Sequence, residues 1–272
     1  MTESPSAVTA AHRAGGFDFS TSRILVVGGT SGVGLATAGA FAGSGARNLV
    51  VVGRNKDRGG QAVARLGEIA PRCSVEFLAA DVNEPASADA VVTEAARVMG
   101  GLDVLVNSTV SVYSPTLLHA IDIEVIPQIL TQQALGPMLT SRAAVRLMRD
   151  QGSGAIINLA SDAVKVPTPG ECIIGAAMAA IVTFSRTLAV EAKRYGVRVN
   201  TLTPSLIANT GSYDRAMSEE FSRRIFEKIT AHAHLGLPGP DDLANTVLFL
   251  ASPLAATITG QVISVNGGIS VA

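Results

Sequence analysis

The stretch VVGGTSGVG, residues 26–34, decides the fold of this chain, because it places Gly28, Gly32 and Gly34 between an apolar run and an Ala-rich segment. Glycines with this spacing allow a sharp turn, the approach of a pyrophosphate to the backbone, and close packing of a helix on a strand. The helix that follows offers unpaired N–H groups and the positive end of its dipole to phosphate. The stretch therefore predicts a dinucleotide phosphate site made by Gly28, Thr30, Ser31, Gly32, Val33 and Gly34.

Short runs rich in Val, Ile and Leu recur along the rest of the chain. Apolar residues at consecutive positions are typical of strands buried on both faces. Ala-rich segments between the runs, such as residues 34–45 and 88–101, have helical spacing and end in glycine. This alternation predicts a single α/β domain with a Rossmann-type, doubly wound, seven-stranded parallel sheet flanked by helices. The predicted strands are residues 23–28, 48–53, 74–79, 103–107, 154–160, 197–203 and 261–265.

Composition limits the class of protein. The 272-residue chain has a net charge of −1, which argues against binding to nucleic acid or an anionic membrane. Cys73 and Cys172 make no disulfide framework, HAH at residues 232–234 lacks a third metal ligand, and no apolar run reaches the ~20 residues of a membrane span. We expect a cytoplasmic protein with a flexible tail over residues 1–20 and one domain over residues 21–272.

The end of the second predicted strand indicates which nicotinamide cofactor is bound. An acidic residue there would bind the ribose 2′-hydroxyl of NAD, whereas a basic residue would pair with the 2′-phosphate of NADP. The segment VVVGRNKDR, residues 50–58, has Gly53 where the acid is expected, followed by Arg54 and Lys56. The sequence therefore favours NADP over NAD; in the alternative interpretation Arg54 is a solvated loop charge.

From residue 22 onwards the chain resembles the short-chain dehydrogenase/reductase family, in its classical branch. The glycine turn matches that of the family, with Val27 in place of the usual Thr. LAADVNE, residues 78–84, matches the adenine-binding loop, and residues 236–272 match the C-terminal segment that closes a tetramer interface. The resemblance implies further cofactor contacts from Asp81, Val82, Asn107 and Ile207.

The same resemblance implies hydride transfer between NAD(P) and a carbonyl or alcohol, with Asn, Ser, Tyr and Lys as the catalytic residues. NLASDA, residues 158–163, supplies the Ser as Ser161. The family's Tyr and Lys positions are occupied here by Ile174 and Met178, and Gln133 stands at the Asn position. The family's proton donor is therefore absent, and a loss of general acid–base help costs roughly 10²–10⁴-fold in rate.

Other departures lie near the same half of the family's site. The Asn-Asn-Ala-Gly that ends the fourth strand in the family is here Asn107 followed by Ser, Thr and Val at residues 108–110. RVNTLTPS, residues 198–205, keeps Pro204 but has Ser205 in place of Gly. Since the adenosine half and the C-terminal assembly segment remain, these departures indicate a scaffold kept for folding, assembly and cofactor binding.

Another side chain could still supply a proton. Tyr113 follows the altered strand end, at a place where family members line the substrate cleft, so it is the main candidate beside Ser161. Four residues on loops flanking the cleft could also exchange a proton, although loop charges are usually solvated: Asp162, Lys165, Glu171 and Cys172.

Three functions follow from this sequence. In the first, the chain is a non-catalytic or weakly active subunit of an oxidoreductase complex, self-associated or paired with a catalytically complete subunit. In the second, it is an NADP-dependent carbonyl or alcohol oxidoreductase whose proton comes from Tyr113, Ser161 or the substrate. In the third, it is a dinucleotide-dependent binding or sensor protein. Ile174 and Met178 share one helix face, which indicates a small hydrophobic carbonyl, alcohol or acyl ligand.

Overall fold

The computed structural model describes residues 17–109, 111 and 113–271. Val110 and the predicted tail up to residue 16 lie outside the described residues. Phe19 is only 2% exposed, and its ring meets that of Phe41 edge-on, with 4.8 Å between centroids. Phe19 therefore packs into the hydrophobic core from within the segment that was predicted to be a tail.

Seven parallel strands form one sheet in the order β3-β2-β1-β4-β5-β6-β7, which confirms the predicted architecture. Each predicted strand is present, with ends that differ from the prediction by at most one residue. The order reverses between β1 and β4, the place where doubly wound sheets bind ligands. The strands are β1 (Arg23–Val27), β2 (Asn48–Gly53), β3 (Ser74–Ala79), β4 (Val104–Asn107), β5 (Gly154–Leu159), β6 (Val197–Thr203) and β7 (Val262–Ser264).

Helices cover both faces of the sheet. Successive side chains of β1 lie on opposite faces of the sheet: Ile24 belongs to one apolar core cluster and Leu25 to the other. The first cluster is closed by α1, α2 and α8, and the second by α3, α4 and α5. The helices are α1 (Gly32–Gly43), α2 (Lys56–Ile69), α3 (Pro85–Met99), α4 (Ile126–Gln151), α5 (Cys172–Ala192), α6 (Gly211–Ser218), α7 (Glu220–Thr230) and α8 (Pro240–Ala251).

Helix α5 is the most apolar of the long helices in the described part of the chain. Together with the turn that follows it, the segment Cys172–Tyr195 spans 24 residues and contains an 18-residue window with a mean hydropathy of 1.8, so by length and composition it could cross a membrane. In the fold, Leu188, Ala189 and Ala192 are buried in the core cluster on one face of the sheet. Packing in the core therefore accounts for the apolar composition of this helix.

Candidate active site

A cavity of about 860 Å³ lies at the carboxyl ends of the strands. Its lining follows the strand order, from Arg54 after β2, through Gly28 after β1 and Ser108 after β4, to Ser161 after β5 and Pro204 after β6. A crevice in this position is where open α/β sheets bind dinucleotides and their substrates. The cavity therefore joins the predicted cofactor residues to the predicted catalytic ones.

The glycine turn has the conformation that a phosphate site requires. Gly28 has a φ of +81°, and a Cβ atom on it would lie 2.5 Å from the carbonyl oxygen of Ser108. A Cβ atom on Gly34 would lie 2.1 Å from the Gly28 carbonyl oxygen, so glycine is required for α1 to pack on the turn. The first turn of α1 has no acidic residue, and the Ser31 side chain makes no cap there, so its N–H groups suit a pyrophosphate.

The far end of the cavity carries positive charge. The guanidinium of Arg54 is 63% exposed and lies 3.8 Å from the Asp81 carboxylate, a separation too long for a strong ion pair. Arg58, one turn into α2, lines the same end of the cavity. It was not among the predicted cofactor residues. The cluster of basic residues after β2 was the signal that could have identified it. Asp81 and Val82 line the cavity beside these arginines, as predicted for an adenine pocket.

Asn107 is placed differently from its predicted role in cofactor binding. Its side chain is 1% exposed and lies inside a polar network between the sheet and α4. The Nδ2 atom donates to Asn158 Oδ1 at 2.8 Å, and the Oδ1 atom accepts from Thr140 Oγ1 at 2.8 Å. Asn158 in turn donates to Ser185 Oγ on α5 at 2.9 Å. Asn107 therefore holds α4 and α5 against the strand ends. It contributes to the site by positioning these two helices.

Ser161 and Ile207 both line the cavity where they were predicted to lie. The Oγ of Ser161 accepts from the backbone N–H of Ala163 at 3.2 Å, which caps the short helix Asp162–Val164. In the described part of the chain, no acceptor takes the Ser161 hydroxyl proton. Ser161 can therefore donate a hydrogen bond to a carbonyl oxygen, although a serine hydroxyl without a base or acid beside it is a poor source of protons.

Ile174 and Met178 form an apolar wall. They are 8% and 6% exposed, line the cavity, and pack in one cluster with Ala134, Ala177 and Ile181. Positions four apart on a helix share a face, so the two side chains lie one above the other on α5. Neither can donate or accept a proton. The structure therefore has a hydrophobic surface at residues 174 and 178, the positions that the sequence resemblance assigns to the family's Tyr and Lys.

Gln133, at the family's Asn position, is 2% exposed. Its side-chain amide contacts the backbone of Ser111 in both directions: Ser111 N donates to Oε1 at 3.5 Å, and Nε2 donates to Ser111 O at 3.4 Å. Gln132 accepts from the Ser111 hydroxyl at 2.7 Å. The two glutamines therefore fix the loop that follows β4 along the edge of the cavity.

Tyr113, the main predicted substitute donor, lines the cavity but uses its hydroxyl elsewhere. The hydroxyl donates to the Gly170 carbonyl oxygen at 2.5 Å, and the backbone N–H of Thr116 donates to the same oxygen at 2.9 Å. Burial raises the pKa of the Tyr113 hydroxyl, and the Glu171 carboxyl nearby adds to the shift. A raised pKa makes a weaker acid, so Tyr113 serves here to anchor the loop before α5.

Three of the four loop candidates are unsuited to proton exchange. Asp162 is 4% exposed, and its two oxygens accept from Asn266 Nδ2 at 3.2 Å and Ser270 Oγ at 2.8 Å. The Lys165 ammonium is directed to β7, where it donates to Ser264 Oγ at 2.8 Å. Cys172 is an exposed free thiol at the start of α5. These residues cap loops or face away from the apolar wall.

Glu171 is the fourth candidate, and its surroundings are different. It lines the cavity at the N-terminus of α5, where its side chain makes no helix cap. Burial raises the pKa of its carboxyl from 4.5 to about 7; the Asp162 carboxylate adds to this shift, and the nearby Thr168 hydroxyl opposes it. A carboxyl that titrates near neutral pH in a cleft is typical of functional sites. The sequence could not reveal this, because the burial comes from residues far along the chain.

In the described part of the chain, no group of three or more His, Cys, Asp or Glu side chains is arranged to hold a metal ion. His232 lies on the outer lining of the cavity, and its Nδ1 atom is 2.9 Å from the Lys228 carbonyl oxygen of the preceding helix turn. The histidine pair thus contributes one side chain to the cavity rim.

The parallel sheet and its glycine cradle define a dinucleotide-binding protein of the oxidoreductase type. A family model described as enoyl-(acyl carrier protein) reductase matches residues 27–270. The chain belongs to the short-chain dehydrogenase/reductase family, whose cofactors are the nicotinamide dinucleotides.

Similar proteins span nearly the whole chain. An uncharacterised oxidoreductase of Mycobacterium bovis is 33% identical over 250 residues, which cover 90% of this chain and 95% of that protein. The 2-(S)-hydroxypropyl-CoM dehydrogenase 3 of Xanthobacter autotrophicus is 30% identical over 251 residues, which cover 91% of this chain and 96% of that protein. The crystal structure of levodione reductase superposes with a TM-score of 0.86 at 28% identity and covers 92% of this chain and 98% of that structure.

Proposed function

We propose that this chain is a cytoplasmic, NADP-binding subunit of an oxidoreductase complex, non-catalytic or weakly active by itself. The observation that carries the proposal is the apolar wall of Ile174 and Met178. A tyrosine hydroxyl needs a neighbouring cation before it can exchange protons at neutral pH, and this face of α5 offers neither group. Turnover by the family's ordinary route is therefore absent from the isolated chain.

Cofactor binding is supported by the glycine cradle and by the charges after β2. The backbone of residues 28–34 would hold the pyrophosphate, and Arg54 and Arg58 would pair with the 2′-phosphate of NADP. Asp81 and Val82 would flank the adenine. When bound, the nicotinamide supplies or accepts a hydride. Ser161 would then hydrogen-bond the oxygen of a small hydrophobic carbonyl or alcohol lying against the apolar wall.

A titration of the purified protein with NADPH and, separately, with NADH tests the binding half of the proposal. We expect micromolar affinity for NADPH and weaker affinity for NADH, followed by calorimetry or fluorescence. The variant Ser161→Ala serves as the matched control, because it alters the cavity outside the cofactor turn. An absence of NADPH binding would overturn the proposal.

The subunit half of the proposal is tested by assembly and turnover. We expect the chain to co-purify with a second family member that carries the Tyr and Lys, and to raise that subunit's activity or stability. Tight NADPH binding without such a partner would favour a sensor instead. A homo-oligomer that turns over carbonyl compounds at the roughly 1–1000 s⁻¹ typical of enzymes would contradict the proposal.

A second function, that of a slow NADP-dependent carbonyl reductase, is favoured by one observation. The cavity that contains the apolar wall also contains the Glu171 carboxyl, whose pKa of about 7 allows it to lose and regain a proton at neutral pH. This carboxyl, and not the predicted Tyr113, is the ionisable group that could support weak activity.

A further inference from the structure

We propose that Glu171 is the proton-exchanging residue of this cleft and replaces the missing tyrosine from a position one helical turn earlier. The inference rests on the proposed NADP binding and gives a chemical basis to the weak activity of the isolated chain. Its first support is position. Glu171 is the N-cap residue of α5, three positions before Ile174 and seven before Met178, and all three residues line the same cavity.

The second support is the way in which the loop before α5 is held. Gly170 has a φ of +85°, which favours glycine, and its carbonyl oxygen accepts hydrogen bonds from the Tyr113 hydroxyl and the Thr116 N–H. The Glu171 N–H donates to the Thr168 carbonyl oxygen at 3.1 Å, and the Gly175 N–H donates to the Glu171 carbonyl oxygen at 2.7 Å. The backbone of Glu171 is therefore fixed on both sides, so its carboxyl is presented to the cavity by a rigid support.

The third support is the electrostatic surroundings of the carboxyl. The ionisable groups that act on it or lie beside it are the Asp162 carboxylate, the Tyr113 hydroxyl and the Cys172 thiol. Lys165, the cation nearest in sequence, donates its protons to β7 instead. A hydrogen bond with the Thr168 side chain favours the carboxylate, but burial outweighs it and the Asp162 carboxylate also disfavours the charged form, so the pKa of the Glu171 carboxyl rises to about 7.

The reaction balances with NADPH as reductant. The glycine turn and Arg54 would hold NADPH, from which the carbonyl carbon of the substrate would gain a hydride. The electron pair of the carbonyl π bond moves to oxygen, and the Glu171 O–H bond breaks to deliver a proton to that oxygen. The products are an alcohol, NADP⁺ and the Glu171 carboxylate, which regains a proton from solvent. Ser161 donates a hydrogen bond to the same oxygen and so orients the carbonyl.

Turnover as a function of pH tests the inference, with NADPH and the hydrophobic ketone 1-phenyl-1,2-propanedione as probes. We expect wild-type reduction to fall about tenfold for each pH unit above the Glu171 pKa, since only the protonated carboxyl donates. The variant Glu171→Gln should lose roughly 10²-fold or more at pH 6 and show no such pH dependence. Glu171→Asp should keep the pH dependence at a lower rate, and the matched variant Glu191→Gln, at an exposed site on α5, should behave as wild type.

A measurement without cofactor supplies the second readout. Infrared difference spectra between pH 6 and pH 8 should show a carboxylic acid band in the wild type that is missing from Glu171→Gln. Wild-type turnover and pH dependence in Glu171→Gln would overturn the inference. NADPH binding without any turnover would overturn it as well while leaving the proposed function intact, whereas failure to bind NADPH would defeat both.

Discussion

Replacing Glu171 with Gln should make the protein more stable at pH 8 and change its stability little at pH 5. The folded protein holds the Glu171 pKa at about 7, against 4.5 for an unperturbed carboxyl, a difference of ~2.5 units. One unit corresponds to 1.36 kcal/mol, so the ionised form costs the folded state at most about 3 kcal/mol. Glutamine keeps the shape of the side chain and carries no charge at any pH.

Proton linkage determines the direction in which wild-type stability changes with pH. Between pH 4.5 and 7 the folded protein holds a proton on Glu171 that the unfolded chain has lost, so wild-type stability falls as pH rises through this window. Below the window the carboxyl is neutral in both states, and above it the cost is constant. The stability difference between Glu171→Gln and the wild type should therefore open by roughly 2–3 kcal/mol between pH 5 and pH 8.

Thermal unfolding at the two pH values provides the assay. For a domain of this size, 1 kcal/mol shifts Tm by roughly 2–4 °C, so the variant should melt up to about 10 °C above the wild type at pH 8. Glu191→Gln, at an exposed site on the same helix, is the control and should show no such pH-dependent gap. An equal difference in Tm between Glu171→Gln and the wild type at pH 5 and pH 8 would show that Glu171 is already ionised in the folded protein at pH 5. The reasoning would then fail.

Three further tests by substitution examine the rest of the site. Ile174→Tyr combined with Met178→Lys should raise NADPH-dependent reduction by roughly 10²-fold or more, and neither change alone should do so; a silent double variant would show that more than the relay is missing. Gly34→Ala should abolish NADPH binding and lower the free energy of unfolding in urea by about 1–3 kcal/mol, because the new Cβ would lie 2.1 Å from a carbonyl oxygen of the turn. Arg54→Ala and Arg58→Ala should each weaken NADPH binding about tenfold and leave NADH binding unchanged; an equal loss for both cofactors would exclude a 2′-phosphate site.

The fold could be predicted from the sequence because the strands are buried on both faces. Residues 24–27 and 49–52 are apolar at every position, which distinguishes these runs from amphipathic helices and gives the strand bounds within one residue. The burial of Phe19 could not be predicted in the same way. Its ring packs on Phe41 of α1 and lies 6.2 Å from that of Phe17, and its N–H donates to the Ser44 carbonyl oxygen, but no periodic pattern marks so short a pair of aromatic residues within a polar segment.

In the candidate site, the sequence could predict the glycine turn, which depends on backbone conformation, but not the roles of the polar side chains. The glycine cradle requires particular residues at fixed spacing, and the structure shows the close approaches that exclude a Cβ atom. The roles of polar side chains depend instead on what the fold places around them. Tyr113 lies near the wall as expected, but its hydroxyl donates to the Gly170 carbonyl oxygen, and Glu171 lies in the cavity, where burial raises the pKa of its carboxyl. Tertiary contacts of this kind leave no local pattern in the sequence.

The simultaneous presence of Ile174 and Met178 follows from the energetics of the wall. In the family the Lys cation favours the ionised Tyr, so each side chain depends on the other. A lysine at position 178, 6% exposed and packed among apolar side chains, would be a buried charge without a partner once the Tyr is lost, at a cost of several kcal/mol. Methionine removes that cost and fills the space between α4 and α5. An apolar wall at these two positions is thus a stable alternative to a Tyr–Lys relay.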